Sequence, residues 1–210
     1  MTALFDFDGV LMDTETQYTE FWNGKGKEYV NIEDFGLVIK GQTLNQIFGK
    51  YFPDFSEEEI KALESSIDEF EASMKYEFIP GAREFLLELK EAGIATAIVT
   101  SSNSKKMSKV YNAWPELDKL VDRILVSGDF SKSKPDPECF LKGMELLGAK
   151  AEETVVFEDS FHGLAAGRAS GAYVVGLATS NKREAIESLC DMVIDDFRSF
   201  GLQTFLQCRK

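Results

Sequence analysis

The sequence predicts an α/β fold: a parallel sheet covered by helices on both faces, with an α-helical insertion after the first strand. Three observations predict it. Short, nearly continuous apolar runs recur along the chain, the pattern of strands buried on both faces. Amphipathic segments punctuated by proline and glycine separate them. Residues 15–79 break this rhythm and contain no strand-like run. At 210 residues the chain is long enough for one core plus an insertion.

The first predicted strand is TALFDFD, 2–8, followed by GIATAIVT at 93–100, DRILVS at 122–127, TVVFED at 154–159, AYVVGL at 172–177 and DMVID at 191–195. Between them, PGAREFLLELKEAG (80–93) and PDPECFLKGMELLG (135–148) carry apolar residues at helical spacing, with proline near the start and glycine at the end. DSFHGLAAGRASGA (159–172) is rich in small residues that permit close packing on a sheet. Within the insertion, 56–77 is an acidic amphipathic helix with Ile60, Leu63, Ile67, Phe70 and Met74 on one stripe, and Ser56 with Glu59 forms a capping box at its start. The preceding TETQYTEFWNGKGKEYV starts helical and then meets glycines.

Composition narrows the function. The net charge of −13 argues against nucleic acid and anionic membranes as partners. No run of about 18 apolar residues suggests a membrane span, and no basic segment followed by an apolar stretch suggests a secretory leader. Three cysteines, Cys139, Cys190 and Cys208, form no CxxC pair and fit reduced thiols in the cytoplasm. A single histidine, His162, excludes a multi-histidine metal site.

In open parallel sheets, ligands bind outside the carboxyl ends of the strands. There the sequence places Asp6-Phe7-Asp8-Gly9, Thr100-Ser101-Ser102-Asn103, GDFSKSKPDP with Lys132 and Lys134, and Glu158-Asp159-Ser160. Each has an ordinary structural reading. Asp-Gly is a common turn, Thr100 or Ser102 could cap a helix near Asn103, Lys134 could be a solvated loop lysine, and Asp159 could be an N-cap. Acids, hydroxyls and a lysine arriving at four strand ends together point instead to one site.

These motifs carry a resemblance. FDFDGVLMDTE, IVTSS, KSKPDP and VVFEDSFHGLAAGRASG resemble, in order and spacing, the four motifs of the haloacid dehalogenase superfamily, and 15–79 resembles the helical cap of its β-phosphoglucomutase-like branch. The resemblance implies a Rossmann-like core at 1–14 and 80–210 and a cap at 15–79, with hinges near Asp13–Glu15 and Phe78–Gly81. It implies that Asp6 is the nucleophile that takes the phosphoryl group and Asp8 the acid and base. Thr100, Ser101 and Lys134 would hold the phosphoryl oxygens, Lys134 being preferred to Lys132 by its Lys-Pro pairing. Mg²⁺ is the implied cofactor, on Asp6, the Asp8 carbonyl and Asp159, with Glu158 supporting. IKGQTLNQIF, 39–48, resembles the substrate-facing cap loop, with Lys40, Gln42 and Asn45 as candidate contacts; His162 is expected on the helix surface or facing the cap.

Two departures from the mutase pattern, Tyr18 in place of a histidine and Leu44 in place of a phosphate-gripping arginine, favour hydrolysis. The expected protein is a cytoplasmic Mg²⁺-dependent phosphatase of a small phosphorylated metabolite, a sugar phosphate, acting as a monomer or weak dimer. The alternatives are a β-phosphoglucomutase and a phospho-acceptor signalling or binding protein without turnover. Asp8 and Asp159 argue against the dehalogenase branch, and no cap lysine suits the phosphonate-cleaving branch.

Overall fold

The six apolar runs pair side by side as parallel strands. In the computed structural model, which describes residues 1–209, they are β1 Thr2–Phe5, β2 Ala95–Val99, β3 Arg123–Leu125, β4 Thr154–Glu158, β5 Tyr173–Leu177 and β6 Met192–Ile194, in the order β3-β2-β1-β4-β5-β6. The order reverses between β1 and β4, and a crevice opens outside the strand ends at such a reversal. Register fixes what meets there. Phe5 stands level with Ile98 of β2 and Phe157 of β4, so Asp6, Val99-Thr100 and Glu158-Asp159 reach the same edge.

Side chains alternate across the sheet. Ala3, Phe5, Ile98, Val155 and Phe157 face one core, with Phe85, Phe197, Phe200 and Phe205, and Phe5 stacks on Phe157 at 4.6 Å between ring centroids. Leu4, Ala97, Val99 and Val156 face the other, with Phe140 and Met144. Burying both faces stabilises the sheet at roughly 25 cal/mol per Å² of apolar area.

Residues 15–79 are helical, as the absence of strand patterning predicts: α1 Glu15–Lys25, α2 Phe35–Val38, α3 Leu44–Tyr51 and α4 Glu57–Ser73. The glycines do not end α1 abruptly. The chain runs on through a π-helical turn, Gly26–Val30, because Gly26 lies against Phe35, where a Cβ would collide. Trp22, Phe35, Ile39, Ile47, Phe52, Leu63 and Ile67 form a core of their own. The predicted capping box at Ser56 and Glu59 is present, and a second, at Thr43 and Gln46, starts α3. The segments joining this unit to the sheet run side by side: Asp13 donates to Glu77 O (2.8 Å) and Ile79 to Leu11 O (2.9 Å).

The remaining helices are α5 Ala82–Glu91, α6 Ser104–Ala113, α7 Leu117–Leu120, α8 Glu138–Leu147, α9 Phe161–Ala169, α10 Arg183–Ile186 and α11 Leu202–Phe205. Most predicted elements shorten at one or both ends. β1 ends at Phe5, so Asp6 and Asp8 lie past the strand, although Asp6 N still donates to Phe157 O at 3.0 Å. α4 ends at Ser73 because Met74 turns extended, and α9 ends at Ala169. Among the described residues no helix is long and apolar enough to cross a membrane.

Candidate active site

A cavity of about 540 Å³ lies between the strand ends and the helical insertion. Asp6, Asp8, Thr100, Ser101 and Asp159 line it from the sheet side, and Lys40, Gln42 and Asn45 from the insertion. Lys134 and Glu158 lie directly beneath.

Lys134 is no solvated loop lysine: it is 1% exposed. Its ammonium donates to Asp6 Oδ1 (2.7 Å), Glu158 Oε1 (2.6 Å) and Val99 O (3.2 Å). Burial works against that charge, but Asp6 and Glu158 outweigh it and raise the pKa. Lys132 instead lies on the surface beside Asp136. Glu158 is fully buried; its other oxygen accepts from Asp159 N, Ser160 N and Ser160 Oγ. Both of its oxygens are therefore committed to bracing the site from below.

Asp6, Glu158 and Asp159 bring carboxylate oxygens within 4.8 Å of one another. Burial pushes Asp6 up to about 7, with Lys134 opposing and Glu158 and Asp8 adding to the rise. Asp159 is raised well above the ordinary carboxyl value by burial, then by Glu15, Glu158 and Asp6. Its Oδ2 is buried without a hydrogen-bond partner among the described residues. A hard divalent cation with oxygen ligands fits this donor set, and would satisfy the orphaned oxygen and relieve the repulsion. Gly9 makes room for it: at φ +73° it turns the chain sharply after Asp8, and a Cβ there would strike Asp159 Oδ2.

The Asp8 side chain points elsewhere and is not part of that carboxylate group. Oδ1 accepts from Thr14 and Lys106, and Oδ2 from Ser102 Oγ at 2.8 Å. Burial pushes its carboxyl up, but Lys106, Thr14 and Ser102 outweigh burial and hold it below the usual range. Lys106 is the residue the sequence reading missed. It sits one turn into α6, 3% exposed, between cap residue Asn103 and the buried Met107 and Val110. A lysine on the apolar stripe of an amphipathic helix is the signal that could have revealed it.

The capping roles fall to the neighbouring residues. Asn103 caps α6, accepting from Lys106 N at 2.9 Å, and Ser160 caps α9, accepting from Gly163 N at 3.0 Å. Thr100 and Asp159 are thereby left to face the cavity. Thr100 Oγ1 accepts from Ser102 N at 3.0 Å.

The insertion's loop sits down on the sheet side. Ser101 Oγ donates to Gly41 O (3.1 Å), His162 Nδ1 to Lys40 O (3.0 Å) and Gln46 Nε2 to Lys134 O (3.3 Å). His162 thus faces the insertion. Lys40 lines the cavity but pairs with Glu15 at 3.1 Å, Gln42 bonds back to Val38 O at 3.1 Å, and Leu44 presents an apolar side chain. Tyr18 donates to Glu71 Oε1 at 2.7 Å.

Comparison with known proteins agrees with this architecture. A family profile described as haloacid dehalogenase-like hydrolase matches residues 3–177. Glycerol-1-phosphate phosphohydrolase 1 of Saccharomyces cerevisiae is 31% identical, over 94% of this chain and 82% of its own. A β-phosphoglucomutase of Mycobacterium tuberculosis is 26% identical, over 92% and 88%. A hydrolase of family IA from Entamoeba histolytica shares the fold, with a TM-score of 0.84 at 22% identity over 99% of this chain and 98% of its own.

Proposed function

Because the chain belongs to the haloacid dehalogenase-like hydrolases, we propose that it is a Mg²⁺-dependent phosphatase of a small sugar or polyol monophosphate. The observation that carries this reading is the convergence of Asp6, Asp8, Thr100, Lys134 and Asp159 on one cavity beneath the helical insertion. Residues 1–14 and 80–210 form the catalytic core, and 15–79 a cap that hinges where the paired connecting segments meet the sheet.

Asp6, the Asp8 carbonyl and Asp159 would hold Mg²⁺, with Glu158 steadying them. When bound, the ion supplies the positive charge that lets a phosphate dianion approach a cavity walled by carboxylates. Asp6 attacks phosphorus; the bond from phosphorus to the ester oxygen breaks, and its electron pair leaves with that oxygen. Asp8 gives that oxygen a proton, so an alcohol departs and an aspartyl-phosphate remains. Asp8, now a carboxylate, takes a proton from the water that attacks this phosphorus. Water replaces Asp6, freeing inorganic phosphate. The ion pair with Lys106 favours the carboxylate that the second step needs, and a phosphoryl dianion nearby favours the protonated form that the first step needs. Thr100 and Lys134 hold the phosphoryl oxygens, which is electrostatic and positional work.

The cavity's cations support hydrolysis over isomerisation. Lys40 is paired with Glu15 and Lys106 with Asp8, and Leu44 is apolar, so the lining offers no uncommitted cation to grip a second phosphate.

The test is phosphate release from hexose, pentose and polyol monophosphates with Mg²⁺ or EDTA, with glucose 1-phosphate also followed for glucose 6-phosphate. Mg²⁺-dependent release without isomerisation, lost in Asp6→Asn, is the expected result. Isomerisation outrunning release would make the protein a mutase.

A further inference from the structure

Lys106 is an expensive residue in an otherwise ordinary helix. Its side chain is 4% exposed, and burying an ammonium costs several kcal/mol unless it is well paired. It has two kinds of partner. One is Asp8 Oδ1, at 2.5 Å. The other is the face of Tyr18, whose ring centroid lies 4.3 Å from the ammonium, a separation at which cation–π attraction is worth having. Tyr18 belongs to α1 of the insertion and is itself fixed by its bond to Glu71 of α4. Lys106 therefore joins Asp8 to the insertion, and nothing in the hydrolytic steps above requires it to touch the substrate.

Three segments hold the Asp8 carboxylate. Thr14 comes from the segment leading into the insertion, Ser102 from the loop after β2, and Lys106 from α6. Thr14 and Ser102 are short and hold their oxygens locally. Thr14 stands at the start of α1, and Lys106 reaches further into the insertion, to the ring of Tyr18.

We propose that Lys106 is a positioning residue for the leaving-group step: seated on Tyr18, it orients Asp8 toward the ester oxygen when the insertion is docked. This rests on the phosphatase reading. The work assigned to it is proton delivery to an oxygen that leaves poorly without one, so its effect depends on the leaving group. An alkyl phosphate needs the proton, whereas the nitrophenolate of p-nitrophenyl phosphate departs without it.

The test compares kcat and KM for a polyol phosphate and for p-nitrophenyl phosphate in wild type, Lys106→Met, Lys106→Arg, Asp8→Asn and the Asp8→Asn/Lys106→Met double variant. Lys106→Met is expected to lower kcat/KM on the alkyl ester by about 10- to 100-fold and on the aryl ester by less than about threefold, because kcat/KM ends at departure of the leaving group and excludes the water step that uses Asp8 for both esters. Lys106→Arg is expected to restore part of the alkyl rate. In the Asp8→Asn background the same change is expected to cost less than about twofold, because Lys106 acts through Asp8. The double variant leaves neither charge unpaired, so it stays informative if the single variant folds poorly. An equal fall in kcat/KM on both esters, no change in either, or full additivity with Asp8→Asn would each overturn the proposal. A wild type that hydrolyses neither ester would instead remove the phosphatase reading, and this proposal with it.

Discussion

Asp159 shows how one oxygen can carry two opposite consequences. Its Oδ2 is buried without a hydrogen-bond partner among the described residues, and its carboxyl is raised by burial and by three neighbouring acids. Charge in this place costs stability unless a cation shares it. Asp159→Asn removes the charge and keeps the shape. The metal-free variant is therefore expected to melt higher than wild type, by about 2–4 °C for each kcal/mol of repulsion relieved in a chain of this size. Mg²⁺ is expected to raise the melting temperature of wild type, by mass action on the folded form, and to leave the variant's unmoved. Differential scanning calorimetry at neutral pH with Mg²⁺ or EDTA reads both. A variant that still responds to Mg²⁺ as wild type does would place the cation elsewhere. Asp6, Thr100 and Asp159 were legible because each directly follows a strand, and Asp8 and Lys134, further along their loops, through the motifs that hold them. Lys106 was not, because lysines on helices usually face solvent and nothing local distinguishes one that turns inward.

At the scale of elements, α4 and α6 are held together by charge. Lys105 and Lys109 donate to Asp68, and Lys109 also to Glu71 at 2.8 Å. Burial pushes the Asp68 carboxyl up, but the two ammonium groups outweigh it and hold it below its ordinary value. A depressed carboxyl stabilises the docked arrangement at every pH above its unfolded-state value, and loses that contribution as pH falls through its folded value. Lys109 is raised, with Glu71 and Asp68 overcoming burial. Its contribution is complete below its unfolded-state value and is lost only as pH rises through the folded one. The contact is thus flat through neutrality and weakens first in acid. Asp68→Asn is expected to lower stability by a constant amount between pH 6 and 8, of order 0.2–1 kcal/mol for a partly exposed pair, read from thermal unfolding. The difference is expected to shrink as pH falls below the ordinary aspartate value of about 3.9 and through the lower folded value. A difference that grows in acid would contradict the assignment. The amphipathic stripe of α4 and its capped start were readable, but its end at Ser73 was not. Nor was the pairing of its acids Asp68 and Glu71, because their partners lie some 40 residues away on α6.

At the scale of the whole molecule, continuous apolar runs fixed the number and parallel sense of the strands, and turn residues placed the helices between them. Strand order is not a local property: it follows from which faces each helix must cover, and only the structure gives the reversal between β1 and β4 that opens the crevice. The seating of the insertion was equally out of reach of periodicity. It depends on Gly41, whose φ of +75° and lack of a side chain let the loop approach Ser160 and His162. The net charge of −13 and a cavity walled by acids would together repel an anionic substrate, which is why the proposed phosphatase needs a local cation. Transfer of phosphate to Asp6 is the claim on which the rest depends. The direct measurement is to quench Asp8→Asn during turnover of p-nitrophenyl phosphate, where the first step needs no acid but the second lacks its base. Borohydride reduction then converts any acyl phosphate to homoserine, which peptide mass spectrometry locates. Homoserine at position 6, absent without substrate, is the expected result. Turnover with Asp6 unmodified, or with the mark on another carboxylate, would contradict the account.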